Sequence, residues 1–249
     1  MTRKIAITLV SILAFFALWM VLAALTNDPQ VLPRPGSLLK PFRAELLSGE
    51  LPYHLAQTLI RVVWAFALAM SLGMVLGFVM GQSERINDWL DPWLIVFLNL
   101  PALVLIVLCY LWIGLNETAA IAAVTLNKVP NVAVLIREGT RARSPDIDAL
   151  ARVYHMTPLR RLVHIDLPQL APYIAAAARS GVAVIWKIVL VVELLGRSNG
   201  VGFQIHLYFQ LFDVGMVLIY AFSFIAVMLL VEWGLLQPWE RATRKWRVA

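Results

Sequence analysis

The chain has 249 residues, of which 61% are hydrophobic and only 14% charged, and its mean hydropathy is +0.78. A soluble domain carries about a quarter charged residues, so this composition excludes a water-soluble globular protein and indicates an integral membrane protein. The net charge of +6 does not indicate a nucleic-acid partner, because the basic residues lie in short stretches between long apolar runs.

Six apolar stretches are long enough to cross the hydrocarbon core of a membrane, which requires about 20 residues of helix. The first follows Thr2-Arg3-Lys4 in the manner of a signal peptide, but its length and the lack of a small-residue cleavage site favour a retained span. The sequence therefore predicts an all-α integral membrane protein with about six transmembrane helices. Their predicted ranges are 5–25, 61–81, 92–112, 118–136, 173–195 and 214–236.

The distribution of Lys and Arg among the loops predicts the orientation of these helices. A cytoplasmic N-terminus places 13 basic residues on the cytoplasmic side and 5 on the outer side, and an even number of spans then also places the C-terminus inside. We expect this N-in, C-in, multi-pass protein in the inner (plasma) membrane of a bacterial cell. The predicted segments are an N-terminal transmembrane helix at 1–25, a periplasmic segment at 26–56, a transmembrane domain at 57–241 and a cytoplasmic tail at 242–249.

The second predicted span carries a glycine at every fourth position, Gly73, Gly77 and Gly81. Residues four apart lie on one face of a helix, and glycines there let the backbones of two membrane helices approach closely. We therefore predict that this face packs against another helix and that the three glycines bind no ligand.

The basic loop 137–172 contains two helix starts. Ser144-Pro145-Asp146 supplies a serine N-cap, a proline and an acidic residue in the first turn, and Thr157-Pro158 repeats the signal. After the first start, four residues have the spacing of one apolar helix face; these are Ile147, Leu150, Ala151 and Tyr154. The loop therefore predicts two short amphipathic helices outside the membrane. Their apolar faces lie either on the lipid surface or in a groove of another protein, and the pattern alone leaves both open.

A family resemblance favours the second interpretation. The segment Ala149 to His155, followed after nine residues by Ile165-Asp166-Leu167-Pro168, resembles the EAA loop of binding-protein-dependent ABC transporter permeases. The family pattern is E-A-A-x-x-x-G and then I-x-L-P, and the spacing matches without a gap. Three positions differ, because Ala149 replaces the glutamate, Leu150 the first alanine and His155 the glycine. Other fragments are similar to the nitrate/sulfonate/taurine branch of this family, among them Leu32-Pro33-Arg34-Pro35, Leu100-Pro101-Ala102 and Val192-Glu193-Leu194-Leu195.

This resemblance implies the type I ABC importer (MetI-like) permease fold and a set of partners. Two copies of the chain would form a homodimer around the pathway, and a dimer of cytoplasmic ABC ATPases would bind ATP and Mg²⁺. A periplasmic or lipid-anchored solute-binding protein would deliver a small solute, such as a sulfonate, taurine or nitrate anion. The resemblance assigns contact with the ATPase to Ile147, Asp148, Ala149, Leu150, Ala151, Arg152, Tyr154, His155, Leu167 and Pro168.

Charged and polar side chains interrupt several spans, where burying a charge costs about 2.5–3.5 kcal/mol on insertion scales. Arg179, Trp186 and Glu193 are seven residues apart and share one face of the fifth span, which we expect to face the interior of a dimer. Two interpretations remain open. Either Lys128 and Lys187 favour a small anion in the pathway, or the charges pair internally and Arg179 extends to the membrane surface. The candidate pathway residues are Asn99, Lys128, Arg179, Trp186, Lys187 and Glu193.

After the fifth span, Asn199-Gly200-Val201-Gly202 indicates a turn. The following residues 203–212 are rich in aromatic side chains, which suits a periplasmic loop that dips into the membrane interface.

Motifs of enzymes are absent from the sequence. No P-loop, zinc-protease or nucleophile-elbow pattern occurs, and the four histidines and one cysteine lack the spacing of metal ligands. We therefore expect no catalytic residue, no metal and no cofactor in this chain, and a transporter subunit rather than an enzyme. An alternative is a self-sufficient secondary transporter or channel, which would not explain the pair of capped helices in the loop.

Overall fold

The computed structural model of the chain describes residues 2–143 and 145–236. Ser144, the predicted N-cap, and residues 237–249, which include the predicted tail 242–249, lie outside the described residues. The side chains of Asp148, Leu150 and Arg152 lie outside them too, so their predicted contacts are not described.

The described residues form helices joined by short turns, with no β-strand among them. Two π-helical turns lie among them, Leu162–Asp166 and Glu232–Leu236. The α-helices are α1 (Thr2–Thr26), α2 (Leu39–Ser48), α3 (Glu50–Gln82), α4 (Glu84–Asn99), α5 (Ala102–Ile113), α6 (Glu117–Arg141), α7 (Pro145–Val153), α8 (Pro158–Arg161), α9 (Leu167–Gly196), α10 (Val201–Gln210) and α11 (Val214–Val231).

Helices α3 and α6 run parallel and pack closely at the centre of the bundle. Gly73 lies against Val132 and Gly81 lies against Thr140, so both helices advance in the same direction. A Cβ atom at either glycine would lie only 2.5 Å from the Cβ of its neighbour. The three glycines of α3 therefore lie where the two backbones come closest, as their spacing predicts.

Helix α9 runs antiparallel to α3 and α6. Gly139, near the end of α6, lies against the ring of Tyr173 near the start of α9, and Glu117 at the start of α6 accepts from Arg197 just after the end of α9, at 2.6 Å. The bundle thus has two ends. The loop end carries α7 and α8, and the far end carries the starts of α3 and α6 and the end of α9.

Four described helices are long and apolar enough to cross a membrane, namely 50–82, 117–141, 158–196 and 214–234. The third predicted span, 92–112, is wrong as one straight helix, because α4 and α5 meet at an angle of 100°. Leu100 has an extended backbone and precedes Pro101, and the residue before a proline disfavours the helical conformation. Counted as one bent span, the pair raises the number to five.

The first predicted span coincides with α1, whose described apolar part, Val10–Thr26, is shorter than a full crossing. Its Trp19 ring lies 5.5 Å from that of Phe222 on α11 and donates to the carbonyl of Pro33 at 3.1 Å. The sixth span and the N-in, C-in orientation stay predictions.

Candidate functional site

The predicted loop helix exists and stands at the loop end of the bundle. Helix α7 begins at Pro145, as the proline signal predicts. Tyr154 is 73% exposed and Ile147 is also exposed, whereas Ala151 is buried within the chain at 4%. The predicted apolar stripe is therefore divided, and Ala151 packs against the protein's own body instead of standing on the exposed side with Tyr154.

His155 has a backbone φ of +46°. This is the left-handed region, which glycine adopts freely and a histidine less readily. The position where the resemblance expects glycine therefore has the conformation that favours glycine, and the chain turns there after α7.

An ion pair anchors this loop to the transmembrane helices. Arg143 Nη1 donates to Asp166 Oδ1, and Arg161 Nε lies 3.7 Å from Asp166 Oδ2. Arg143 also donates from Nε to the carbonyl of Thr140 at 2.8 Å, and its guanidinium lies 5.7 Å from the ring centre of Phe78 on α3. Because Asp166 directly precedes α9, these contacts connect the ends of α3 and α6 to the start of α9.

The exposed face of α9 carries two of the six candidate pathway residues, and a third is half-buried beside them. Lys187 and Arg179 are both exposed on it, and Arg179 Nη2 lies 4.0 Å from Glu232. Trp186 is half-buried, with its ring 6.4 Å from that of Phe224. Asn99, at the end of α4, is exposed and donates to the carbonyl of its own helix at Ile95.

Lys128 is only 3% exposed, yet its ammonium group ends at the edge of the same face. Its stem crosses α9 at Gly181, where a Cβ would lie 3.4 Å from Lys128 Cε. The Nζ atom donates to Ser180 Oγ at 3.3 Å, and Ser180 is itself exposed. Lys128, Arg179 and Lys187 thus place their positive charges along one surface of the subunit.

Glu193 lies elsewhere, in a group of paired charges at the far end that is buried around Arg61 and Glu193 and exposed at Glu117. We call Arg61, Glu117, Glu193, Arg197 and Asn199 the Arg61 cluster. Arg61 is 3% exposed and Glu193 has no exposed surface. Arg61 Nε and Nη2 donate to the two carboxylate oxygens of Glu117 at 2.8 and 2.6 Å, and Nη1 donates to Glu193 at 2.6 Å and to the carbonyl of Asn199 at 3.0 Å. Arg197 also donates to Glu117, at 2.6 Å, so two guanidinium groups face two carboxylates. For Glu193, this is the internal pairing that the sequence left open.

The Arg61 cluster also holds the start of α10. Glu193 Oε2 accepts from the backbone N–H of Gly202 at 2.8 Å and from the hydroxyl of Thr58 at 2.9 Å. Thr58 Oγ1 in turn accepts from the N–H of Val201 at 2.8 Å. Gly200 has a φ of +106°, and a Cβ there would collide with the Glu193 carboxylate. The first N–H groups of a helix have no partner within it, and here Thr58 and Glu193 supply those partners.

Residues 201–210 therefore form a helix, where the sequence suggested a loop. The partners of Glu193 were not predictable from the residues around it, since Arg61 lies at the edge of the second apolar stretch and resembles a loop residue. The helix that contains Arg61 begins as early as Glu50, and recognising this longer helix could have indicated that Arg61 is buried within the bundle.

Comparison with known proteins gives the family. Residues 69–235 match the family described as "Binding-protein-dependent transport system inner membrane component". The chain belongs to this family of ABC transporter permeases. It is 30% identical over 76% of its length to the aliphatic sulfonates transport permease protein SsuC of Bacillus subtilis (strain 168), covering 69% of that protein. It is 24% identical over 96% of its length to the taurine transport system permease protein TauC of Escherichia coli (strain K12), covering 92% of it.

A solved structure also matches this ABC permease. The crystal structure of an amino acid ABC transporter with histidines superposes with a TM-score of 0.65 at 22% identity, covering 80% of this chain and 97% of that one. These findings confirm the predicted family, its nitrate/sulfonate/taurine branch and the importer permease fold. They also confirm a multi-pass protein of the bacterial plasma membrane. The family implies a partnership with an ATPase subunit and a solute-binding protein.

Proposed function

We propose that two copies of this permease form a pathway for a small anion, such as a sulfonate, that a binding protein delivers. ATP and Mg²⁺ are bound by a separate ATPase dimer, which moves the permease through α7. The observation that carries this proposal is an exposed tyrosine directly after α7, in a loop that an ion pair and a cation–π contact join to three membrane helices. Tyr154 points away from the bundle, and Asp166 and Arg143 connect the same loop to α3, α6 and α9. A movement of α7 would therefore be transmitted through this loop to α9, whose exposed face carries the basic residues.

Replacing Tyr154 with aspartate should lower the amount of ATPase recovered with the permease by about tenfold or more. An exposed aromatic side chain is the type of residue that dominates protein interfaces, and a carboxylate cannot occupy an apolar groove without loss of solvation. The measurement is co-purification of the ATPase with the tagged permease from membranes.

The matched control is Leu47→Asp on α2, at the far end of the molecule. Leu47 is 74% exposed, almost the same as Tyr154, and this variant should recover the ATPase normally. Undiminished recovery with Tyr154→Asp would contradict the coupling role. Ion-coupled transport by the permease alone would favour the alternative of a secondary transporter.

The basic face of α9 is the observation that favours an anion. Lys187 and Arg179 are exposed on it, and Lys128 ends beside it at Ser180. Positive charges along a water-filled route raise the local concentration of anions. The exposed Asn99 and the half-buried Trp186 also belong to the proposed pathway. Glu193 is buried and would belong to it only after a movement of α9 or α10.

Lys187→Gln should reduce ATP-driven uptake of taurine and of a simple alkanesulfonate by about tenfold, because one charge contact of about 1.4 kcal/mol is lost. Uptake is measured in proteoliposomes that contain the assembled importer and binding protein. The control is Lys40→Gln, a neutralised exposed lysine on α2, which should transport normally. Equal uptake by the two variants would remove Lys187 from the pathway.

A further inference from the structure

A buried histidine, His54, lies at the far end of the bundle beside the start of α10. The residue is only 5% exposed, and the centre of its ring lies 6.2 Å from the ring centres of both Phe203 and Tyr220. The roles proposed above for the permease do not involve this histidine. Histidine is the side chain whose charge ordinarily changes near neutral pH, so its contacts decide what such a change would do.

His54 holds the residue from which α10 begins. The backbone N–H of Gly200 donates to His54 Nδ1 at 2.9 Å, and the carbonyl of Gly200 accepts the first hydrogen bond of α10, from the N–H of Gln204 at 3.1 Å. The next two N–H groups donate to Thr58 and Glu193. Of these three acceptors, the imidazole is the one that ordinarily titrates near neutral pH.

The contacts of both ring nitrogens define a neutral imidazole. Because Nδ1 accepts from Gly200, it carries no proton, and the proton of a neutral ring is then on Nε2. Nε2 lies 2.6 Å from the side-chain amide of Gln204 and 3.3 Å from Glu50 Oε2. Gln204 Oε1 has no hydrogen-bond partner among the described residues, and rotating this amide by 180° brings the oxygen to Nε2–H. Both nitrogens then have a suitable partner when His54 is neutral.

The groups around His54 act on its protonation from several elements. Burial opposes protonation, Glu50 and Glu45 favour it, and Arg61 opposes it. The neighbouring rings are uncharged at neutral pH; they belong to Tyr53 on α3, Phe203 on α10 and Tyr220 on α11. Glu50 lies at the Nε2 edge of the ring. Its attraction therefore does not relieve the Nδ1 edge, where a second proton would face the N–H of Gly200.

We propose that His54 is a pH-sensitive latch that holds the start of α10 when neutral and releases it when protonated. A protonated Nδ1 is a donor and cannot accept from the N–H of Gly200, so the turn between α9 and α10 loses one of its attachments to α3. The neutral form makes the contact, so the attachment is complete at neutral pH and is lost as the pH falls. The latch does not rest on the proposed transport function. If α7 contacts the ATPase, the far end faces the periplasm and the latch responds to the pH outside the cell.

Hydrogen-exchange mass spectrometry of the full-length permease in dodecyl maltoside tests the latch, on peptides that cover 198–206. After correction for the intrinsic exchange rate, the protection of these N–H groups should fall by about tenfold between about pH 7.5 and 5.5 in the wild type. His54→Asn supplies an amide oxygen that takes up no proton in this range, so its protection should not change. The matched control is His206→Asn, because His206 lies on α10 but contacts Gln210 of its own helix. This control should keep the wild-type pH dependence.

A second variant tests the latch with His54 in place. Glu50 is exposed and favours the protonated ring, so Glu50→Gln should lower the pH of release by about half a pH unit, the effect of an exposed ion pair. Glu84→Gln removes the corresponding exposed glutamate from the first turn of α4 at the loop end and should leave the pH of release unchanged.

Protection of 198–206 that does not depend on pH in the wild type would overturn the latch. The same pH dependence in His54→Asn as in the wild type would overturn it too. If His54→Asn does not fold, the comparison of Glu50→Gln with Glu84→Gln decides, and equal pH values of release would contradict the role of His54. The ATPase takes no part in these measurements, so the latch and the proposed function can fail separately.

Discussion

Arg61→Met is expected to destabilise the permease by about 3–5 kcal/mol, the cost of removing one partner from a buried ion pair. Glu193 has no exposed surface and would keep its hydrogen bonds from Thr58 and Gly202, with no positive charge from the described residues in contact with it. Glu117 would keep its ion pair with Arg197, its one other basic partner in the described part of the chain. The expected observations are a lower midpoint of thermal unfolding in detergent and a smaller monodisperse fraction in size-exclusion chromatography.

Two further variants separate the ion pair from the general effect of losing an arginine. Arg43→Met removes an exposed arginine from α2 and should change the midpoint little. The double variant Arg61→Met/Glu193→Gln should be more stable than Arg61→Met alone, because no uncompensated carboxylate remains at position 193. If Arg61→Met unfolds at the same temperature as Arg43→Met, the Arg61 cluster does not stabilise the far end.

Gly77→Ala is expected to destabilise the contact between α3 and α6 by about 1–3 kcal/mol, the usual cost of overpacking. The added Cβ would lie 2.9 Å from the Cβ of Ile136 and would collide with the backbone carbonyl of Ala133. A backbone atom of a helix cannot turn aside as a side chain can, so the two helices must separate. The measurements are the midpoint of thermal unfolding and ATP-driven uptake, and both should fall.

The matched control is Gly181→Ala, a glycine in the same bundle on α9. Its added Cβ would lie 3.4 Å from Lys128 and Phe66 side-chain atoms, an ordinary contact distance. This variant should unfold close to the wild-type midpoint, and alanine even has the higher helix propensity. Wild-type stability of Gly77→Ala would mean that the helices do not approach as closely as the structure indicates.

The predictions that rest on residues close together in the sequence agreed with the structure. The prolines at 145 and 158 begin α7 and α8, because proline has the fixed φ of a first helical turn and needs no N–H there. The spacing of the glycines places them on one face of α3. The prediction of one straight span at 92–112 was wrong for a cause that is also local. Leu100-Pro101 breaks the helix, whereas hydropathy measures only how apolar a segment is and not whether it bends.

The sequence by itself determined the membrane class, the family and the helical elements of the loop, because hydropathy, helix starts and motif spacing all act over a few residues. Only the tertiary structure decided that Ala151 faces inward, that Lys128 reaches Ser180 and that Glu193 pairs with Arg61. Arg61 and Glu193 are 132 residues apart in the chain, so their contact exists only once α3 and α9 have packed. A buried charge requires a partner, but the sequence does not show which residue that partner is. The packing of the helices decides it.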